Sequence, residues 1–258
     1  MFTTNTPLFY SISEYIKTHY NKNPFVVSFI GSGGKTSFIE HLTLYLSTLH
    51  IRVLIITTTH LAHPRRHTYP FKSYIVERGE KVDEIILDNP ILVIGSLKDE
   101  KIGPLDENLL ERIIPHYDVV LVEADGARGK NLKYHKEHEP VVPSSTSLLI
   151  KVIGLSSLGK RVDEEMHNSD LFLKEYPWNN DVVDNNLLYF LSGCKSGLNS
   201  PYYQGDSLLF YNQSDALENS TLINFIEEGR EYFKNYDEKI IIGSVRKDKI
   251  VYYKDKEY

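Results

Sequence analysis

Between residues 25 and 42 the chain reads FVVSFIGSGGKTSFIEHL: an apolar run, a knot of glycines, a lysine, then apolar residues at helical spacing. In a phosphate loop of the form GxxxxGK[ST], backbone N–H groups surround the phosphate oxygens, the lysine reaches the β and γ groups, and the hydroxyl binds Mg²⁺. Gly34, Lys35 and Thr36 fit that pattern, whereas the place of its first glycine is held by Phe29. The chain offers a compact variant, Gly31, Ser32, Gly33, Gly34, Lys35, Thr36 and Ser37, in which Lys35 is the group that would stabilise a transferring phosphoryl. A helix opening near Lys35 adds the positive end of its dipole. The competing reading, a glycine-rich turn with a chance lysine, fits poorly with a strand before the glycines and a helix after them.

DVVLVEADGARGK places Glu123 and Asp125 at the end of an apolar strand, where a carboxylate holds Mg²⁺ directly or through water across from Thr36. The candidate metal ligands are therefore Thr36, Glu123 and Asp125, and Asp125 also suits activation of a nucleophile. For either carboxylate singly, a plain ion pair with Arg128 is an equal alternative. Arg128 is a candidate anion clamp and His138 a candidate acid or base. Thr57, Thr58 and Thr59 end another apolar run and offer hydroxyls to an oxyanion, solvated strand-end threonines being the alternative. LLFYNQSD ends in Asn212 and Asp215, which resembles the NKxD guanine motif of GTPases with glutamine in the lysine position. An aspartate there accepts from the ring N–H and exocyclic amine of guanine, a donor pair that adenine lacks. Asp215 equally suits the N-cap of the helix that follows, so the nucleotide is ATP or GTP, with GTP favoured. His60, His63, His67, His135 and His138 cluster in two segments without an HExxH arrangement, so solvent or backbone hydrogen bonds are expected of them ahead of a transition metal.

These segments need elements to bring them together. Leu8, Ile12 and Ile16 predict a helix over 8–20, FVVSFI a strand, Phe38 to Leu49 a second helix, and RVLIIT (52–57) a buried strand. The same reading gives strands at 73–76, 91–94, from 118, and at 148–154, 207–212 and 239–245, with KIVYYK as an edge strand. It places helices at 79–87, 106–114, 184–191 and 215–233. Alternating strands and helices imply an α/β, P-loop NTPase-like three-layer fold with a mostly parallel central sheet, whose ligands bind beyond the strand carboxyl ends. The glycine loop, TTTH, EADG and NQSD all follow strands directly and so share that rim. No linker divides the chain, which reads as one domain over 1–258 with irregular insertions near 126–146 and 155–183.

With 41% hydrophobic and 25% charged residues the chain is composed to fold, and a net charge of -6 argues against a surface built for nucleic acid. The lone Cys194 excludes an internal disulfide and a CxxC zinc site. A start without a basic-then-apolar leader, and no apolar run of about 18 residues, lead us to expect a cytoplasmic protein without a membrane span.

Taken in order, GSGGKT, TTTH with Pro64, VEADGARGK, HEPVVP and GKRVDEEMH resemble the YqeC family of selenium-dependent hydroxylase accessory proteins, most closely over about 25–170. The resemblance implies a nucleotide-binding protein of selenium cofactor biosynthesis, with a selenium species or molybdenum cofactor and a hydroxylase apoprotein as partners. It singles out Gly31, Gly33, Gly34, Lys35, Thr36, Thr57 to Thr59, Glu123, Asp125, Gly126, Arg128, His138, Glu139, Pro140, Asp163 and His167. Two positions depart from the family pattern: Arg161, where proline is expected, and Asn168, where arginine is expected. The leading expectation is a Mg²⁺-dependent NTPase or NTP-dependent enzyme. A Mur-ligase-like ligase, a kinase on a small acceptor, and a slow nucleotide-gated chaperone are the alternatives.

Overall fold

The computed structural model describes residues 6–21, 23–60, 67–76, 89–96, 102–198 and 203–255. Helix α1 (Leu8–His19) precedes β1 (Phe25–Gly31), which runs through the glycine loop into α2 (Lys35–Thr48) and then β2 (Val53–Thr57). Next come β3 (Lys72–Val76), β4 (Ile91–Ser96), β5 (Ile102–Gly103), α3 (Glu107–Ile113), β6 (Val119–Glu123), β7 (Leu132–Lys133) and β8 (Leu148–Gly154). The remainder is α4 (Val162–Glu165), β9 (Met166–His167), α5 (Ser169–Glu175), α6 (Asn185–Gly193), β10 (Asp206–Asn212), α7 (Asn219–Glu228), α8 (Arg230–Lys234), β11 (Lys239–Ser244) and β12 (Lys249–Lys254).

The main sheet has ten strands in the order β12-β11-β10-β8-β1-β6-β2-β4-β3, with β5 beside β4. Every pairing from β11 across to β3 is parallel; β12 and β5 pair antiparallel at the margins. β1 is central because all seven of its residues are buried, as a strand covered on both faces must be. Alternate side chains build the two halves of the core. Val27 and Phe29 of β1 join Ile12 and Ile16 of α1 and Phe38 and Leu42 of α2 on one face. Val26 and Ile30 point the other way, toward the cluster that includes Phe172, Leu187 and Phe225 from α5, α6 and α7. Helices on both faces of a mostly parallel sheet make this a three-layer α/β fold. β1 has β6 on one side and β8 on the other, while the chain leaves β1 by α2 to reach β2, so the strand order diverges at β1 and opens a crevice beyond its carboxyl end.

Most expected elements lie within two residues of their observed bounds, KIVYYK is the antiparallel edge strand β12, and the helix expected at 79–87 lies outside the described residues. Two regions differ. The single helix expected over 215–233 is a 3-10 turn at Ser214–Ala216, an extended Leu217–Glu218, then α7 and α8 joined at Gly229. Gly229 is needed where it sits, because a Cβ there would meet the Phe233 ring at 2.5 Å. The stretch 155–183, read as irregular, carries α4, β9 and α5, whose buried Val162, Met166 and Phe172 pack into the core. β9 pairs with β7 of the other insertion to form a second, two-stranded sheet. No helix among the described residues is long and apolar enough to cross a membrane.

Phe38 anchors α2 against the sheet, its ring 5.3 Å from that of Phe29 and 5.1 Å from that of Phe210. Removing a fully buried aromatic ring from such a cluster costs about 3–5 kcal/mol. Phe38→Ala is expected to lose that much in urea unfolding; a loss below about 1 kcal/mol would show that α2 does not depend on this contact.

Candidate functional site

The glycine loop is built by close approach. Gly31, Gly33 and Gly34 have φ of +90°, +86° and +115°, a region that L side chains rarely enter. A Cβ on Gly31 would fall 2.2 Å from the Val152 carbonyl oxygen, and one on Gly33 would fall 2.3 Å from the Gly154 backbone, so β8 presses directly on the loop. Gly34 is the N-cap of α2 and supplies no side-chain cap. The amides of Gly33 to Ser37 have no acceptor among the described residues, leaving a helix start of unsatisfied donors.

Asp125 is wholly buried and holds this arrangement in place. One carboxylate oxygen lies 2.7 Å from Lys35 Nζ. The other accepts from the Gly31 amide at 2.7 Å and lies 2.6 Å from His135 Nε2, with Lys133 Nζ at 4.0 Å. Lys35 Nζ also donates to the Gly31 carbonyl. Burial alone would push the Asp125 carboxyl up, but Lys35, His135 and Lys133 together outweigh it and hold the group well below the usual carboxylate range. Glu123, two residues earlier, behaves oppositely: its burial outweighs the Lys35 charge and the Thr36 hydrogen bond and pushes its carboxyl up. Thr36 Oγ1 donates to Glu123 Oε2 at 3.0 Å.

The loop opens into a cleft of about 880 Å³. Ser32 to Ser37, Thr59, Glu123, Arg128 and His138 all line it, so the sequence-level candidates from the glycine loop, the β2 end and the β6 end do meet. The three threonines divide their work. Thr57 Oγ1 donates to the Glu123 carbonyl at 3.0 Å and Thr58 Oγ1 to the Val141 carbonyl at 2.8 Å, leaving Thr59 on the cleft wall. Neither Asn212 nor Asp215 is among the lining residues. Asn212 braces the loop from β10: its Nδ2 donates to the Gly33 carbonyl at 2.8 Å, and its Oδ1 accepts from the Val245 amide at 3.0 Å. Asp215 lies 3.1 Å from Arg246 Nε and does not cap α7, whose N-cap is Glu218. Asp163 pairs with Arg161 at 3.0 Å, and Asn168 donates to the Tyr134 carbonyl at 2.6 Å.

Sequence reasoning missed several participants. His135, grouped above with the loop histidines, is buried beneath Asp125, its other ring nitrogen facing the Gly197 carbonyl. Lys133 is buried too and reaches Glu139 at 2.9 Å. Tyr69 and His67 line the cleft, with His67 2.6 Å from Glu40 on α2. Gln213 closes the loop's far side, accepting from Ser156 Oγ at 2.6 Å and donating to Asn131 Oδ1 at 3.1 Å. Among the described residues no group of three or more His, Cys, Asp or Glu converges to hold a metal, and His63 lies outside them.

A glycine-lysine loop at the carboxyl end of a central parallel strand, faced by two buried carboxylates, places the chain in the class of three-layer α/β proteins with a cleft at the strand carboxyl ends. The sequence profile described as "YqeC protein" matches residues 27–170, more than half of the chain, and the protein belongs to the YqeC family. It is 36% identical over 149 residues to "Uncharacterized protein YqeC" of Escherichia coli (strain K12). That match covers 56% of this chain and 57% of the relative, so the two correspond over little more than half their lengths.

Because the native carboxyl titrates below its unfolded counterpart, ionised Asp125 contributes stability that is complete above about pH 4 and is lost as pH falls below that. Asp125→Asn leaves Lys35 buried beside a neutral amide and is expected to cost about 3–5 kcal/mol at pH 7. Denaturant unfolding at pH 7 and pH 3 measures it: the deficit should shrink at pH 3, and an equal deficit at both would contradict the buried ion pair.

Proposed function

We propose that this protein binds a nucleoside triphosphate with Mg²⁺ in the Gly31–Ser37 loop and uses it as a Mg²⁺-dependent NTPase or NTP-dependent enzyme. The observation that carries the reading is the run of unpartnered amides at the start of α2, converging with Lys35 and the Thr36–Glu123 pair in one cleft. An N-terminal helix turn with free donors binds phosphate, and the positive end of α2 adds to the attraction. Thr36 Oγ1 and Glu123 Oε2 are hard oxygen donors a hydrogen bond apart, which fits the ligand chemistry of Mg²⁺. They are the residues that would hold the ion, which when bound would neutralise charge on the phosphates. One Asp125 oxygen is ion-paired with Lys35 and the other accepts from the Gly31 amide, so its part is to position Lys35 and Gly31. Lys35, released from Asp125, is the cation for the β and γ phosphates.

The base is guanine if Asp215, which is not among the residues lining the cleft and pairs with Arg246, comes within reach of it, and the ATP alternative stands beside it. The setting, maturation of selenium-dependent molybdenum hydroxylases, is supported by the family resemblance alone. The cleft lies within the usual size of small-molecule sites, which fits a bound nucleotide.

Equilibrium binding of labelled ATP and GTP, with and without Mg²⁺, tests this reading. Lys35→Ala should weaken binding about tenfold or more, a loss of about 1.4 kcal/mol. Glu123→Gln should abolish the Mg²⁺ dependence. Glu123 has a raised native pKa, so its ionised form costs stability as pH rises past about 4. The same variant should therefore gain about 1 kcal/mol at pH 7. Nucleotide affinity untouched by Lys35→Ala would refute the loop as the site. GTP preference unchanged by Asp215→Ala would refute the base assignment.

A further inference from the structure

One wall of the cleft comes from a segment outside the glycine loop. Residues 126–140 leave the end of β6 and return beside it, Val141 donating to the Ala124 carbonyl at 3.1 Å. Inside this excursion Glu139 is used up: one oxygen pairs with buried Lys133 at 2.9 Å and the other accepts from the Lys136 amide at 3.3 Å. Lys133 donates in addition to the Gly126 carbonyl. That leaves Arg128 and Lys136 with no carboxylate partner among the described residues, although both line the cleft. The β7–β9 pairing sets His167 opposite Lys133 and delivers its ring to the same wall as His138. Burial, with the Lys133 and Arg128 charges, pushes His167 below the ordinary imidazole value.

Two further features show that the wall is built. Arg128 has φ +51° and is followed by Gly129 at +74°, so an arginine occupies a backbone region that L side chains rarely adopt. The excursion is also pinned to the glycine loop and to the end of β8, since Ser32 Oγ donates to the Lys130 carbonyl and the Gly154 amide to the Asn131 carbonyl. The wall is therefore held against the glycine loop, while its side chains come from a different segment of the chain.

Resting on the nucleotide reading above, we propose that Arg128, Lys136, His138 and His167 form a second anion subsite, which takes the phosphate group of a small phosphorylated second substrate. Two unpaired cations, with two imidazole rings on the same wall as hydrogen-bonding groups, match a dianionic phosphate better than a single carboxylate. The other source of the same chemistry is the terminal phosphate of the nucleotide itself, and the experiment separates the two.

The full chain is loaded with Mg²⁺ and a non-hydrolysable triphosphate analogue and titrated with inorganic phosphate, while the ring signals of His138 and His167 are followed by NMR. Both signals should shift saturably. In the double variant Arg128→Gly, Lys136→Gln the phosphate midpoint should rise tenfold or more, while analogue affinity changes less than threefold. Glycine suits the left-handed backbone at 128, so the melting temperature should not fall and unfolding is separable from loss of binding. Silent histidines, or shifts unchanged in the double variant, overturn the subsite. A parallel loss of analogue affinity assigns the wall to the nucleotide and overturns it as well. If the analogue does not bind the wild type, the nucleotide reading fails by itself. The same titration of unloaded Lys35→Ala protein, with and without the two wall substitutions, then decides the subsite: shifts dependent on Arg128 and Lys136 support it, and their absence overturns it.

Discussion

A single carboxylate, that of Asp125, lies where three parts of the chain must meet. It holds the Lys35 ammonium, the Gly31 amide and the His135 ring at once, with no exposure to water. A buried ionised carboxylate is tolerable only when opposite charge and hydrogen-bond donors face it. Each of its partners is therefore fixed with it. Lys35 fixes the start of α2, Gly31 the end of β1, and His135 the excursion that follows β6. The glycine loop takes its shape from this contact on one side and from the pressure of β8 at Val152 and Gly154 on the other.

Charge is shared unevenly around that point. Lys133 with Glu139 and Lys35 with Asp125 are internally balanced pairs. Glu123 is held ionisable but against its burial, with Thr36 and the Lys35 charge as its compensation. Unsatisfied donors of the helix start and unpaired cations of the 126–140 excursion line the same cleft. Under the proposed function these unpaired groups are where anions would be received, and Glu123 beside the Thr36 hydroxyl is where Mg²⁺ would be held.

The path from sequence to this site was legible where the signal is local. Seven buried residues in a row, three glycines and a lysine, then Phe38, Ile39 and Leu42 at helical spacing make β1, the loop and α2 readable without a structure. The pairing of Thr36 with Glu123 follows from the rule that parallel strands deliver their following loops to one rim. What could not be read are contacts between buried polar groups far apart in sequence. His135 sits among other histidines, and nothing in its neighbourhood marks it as the one beneath Asp125 and against Gly197. Asn212 was visible as a motif residue, yet its amide braces Gly33 and Val245, a use set by where β10 and β11 end. The broken helix after residue 213 depended on the left-handed Gln213 and on room for the Phe233 ring at Gly229, neither of which shows in apolar spacing.

The central claim is that Asp125 holds Lys35 in place for a polyphosphate that takes it over. A crystal structure with Mg²⁺ and a non-hydrolysable nucleoside triphosphate tests this most directly. The account predicts phosphate oxygens within hydrogen-bonding distance of the Gly33 to Thr36 amides, Lys35 Nζ drawn from Asp125 onto them, and the ion between Thr36 and Glu123. A triphosphate bound elsewhere, with Lys35 still seated on Asp125, would contradict it.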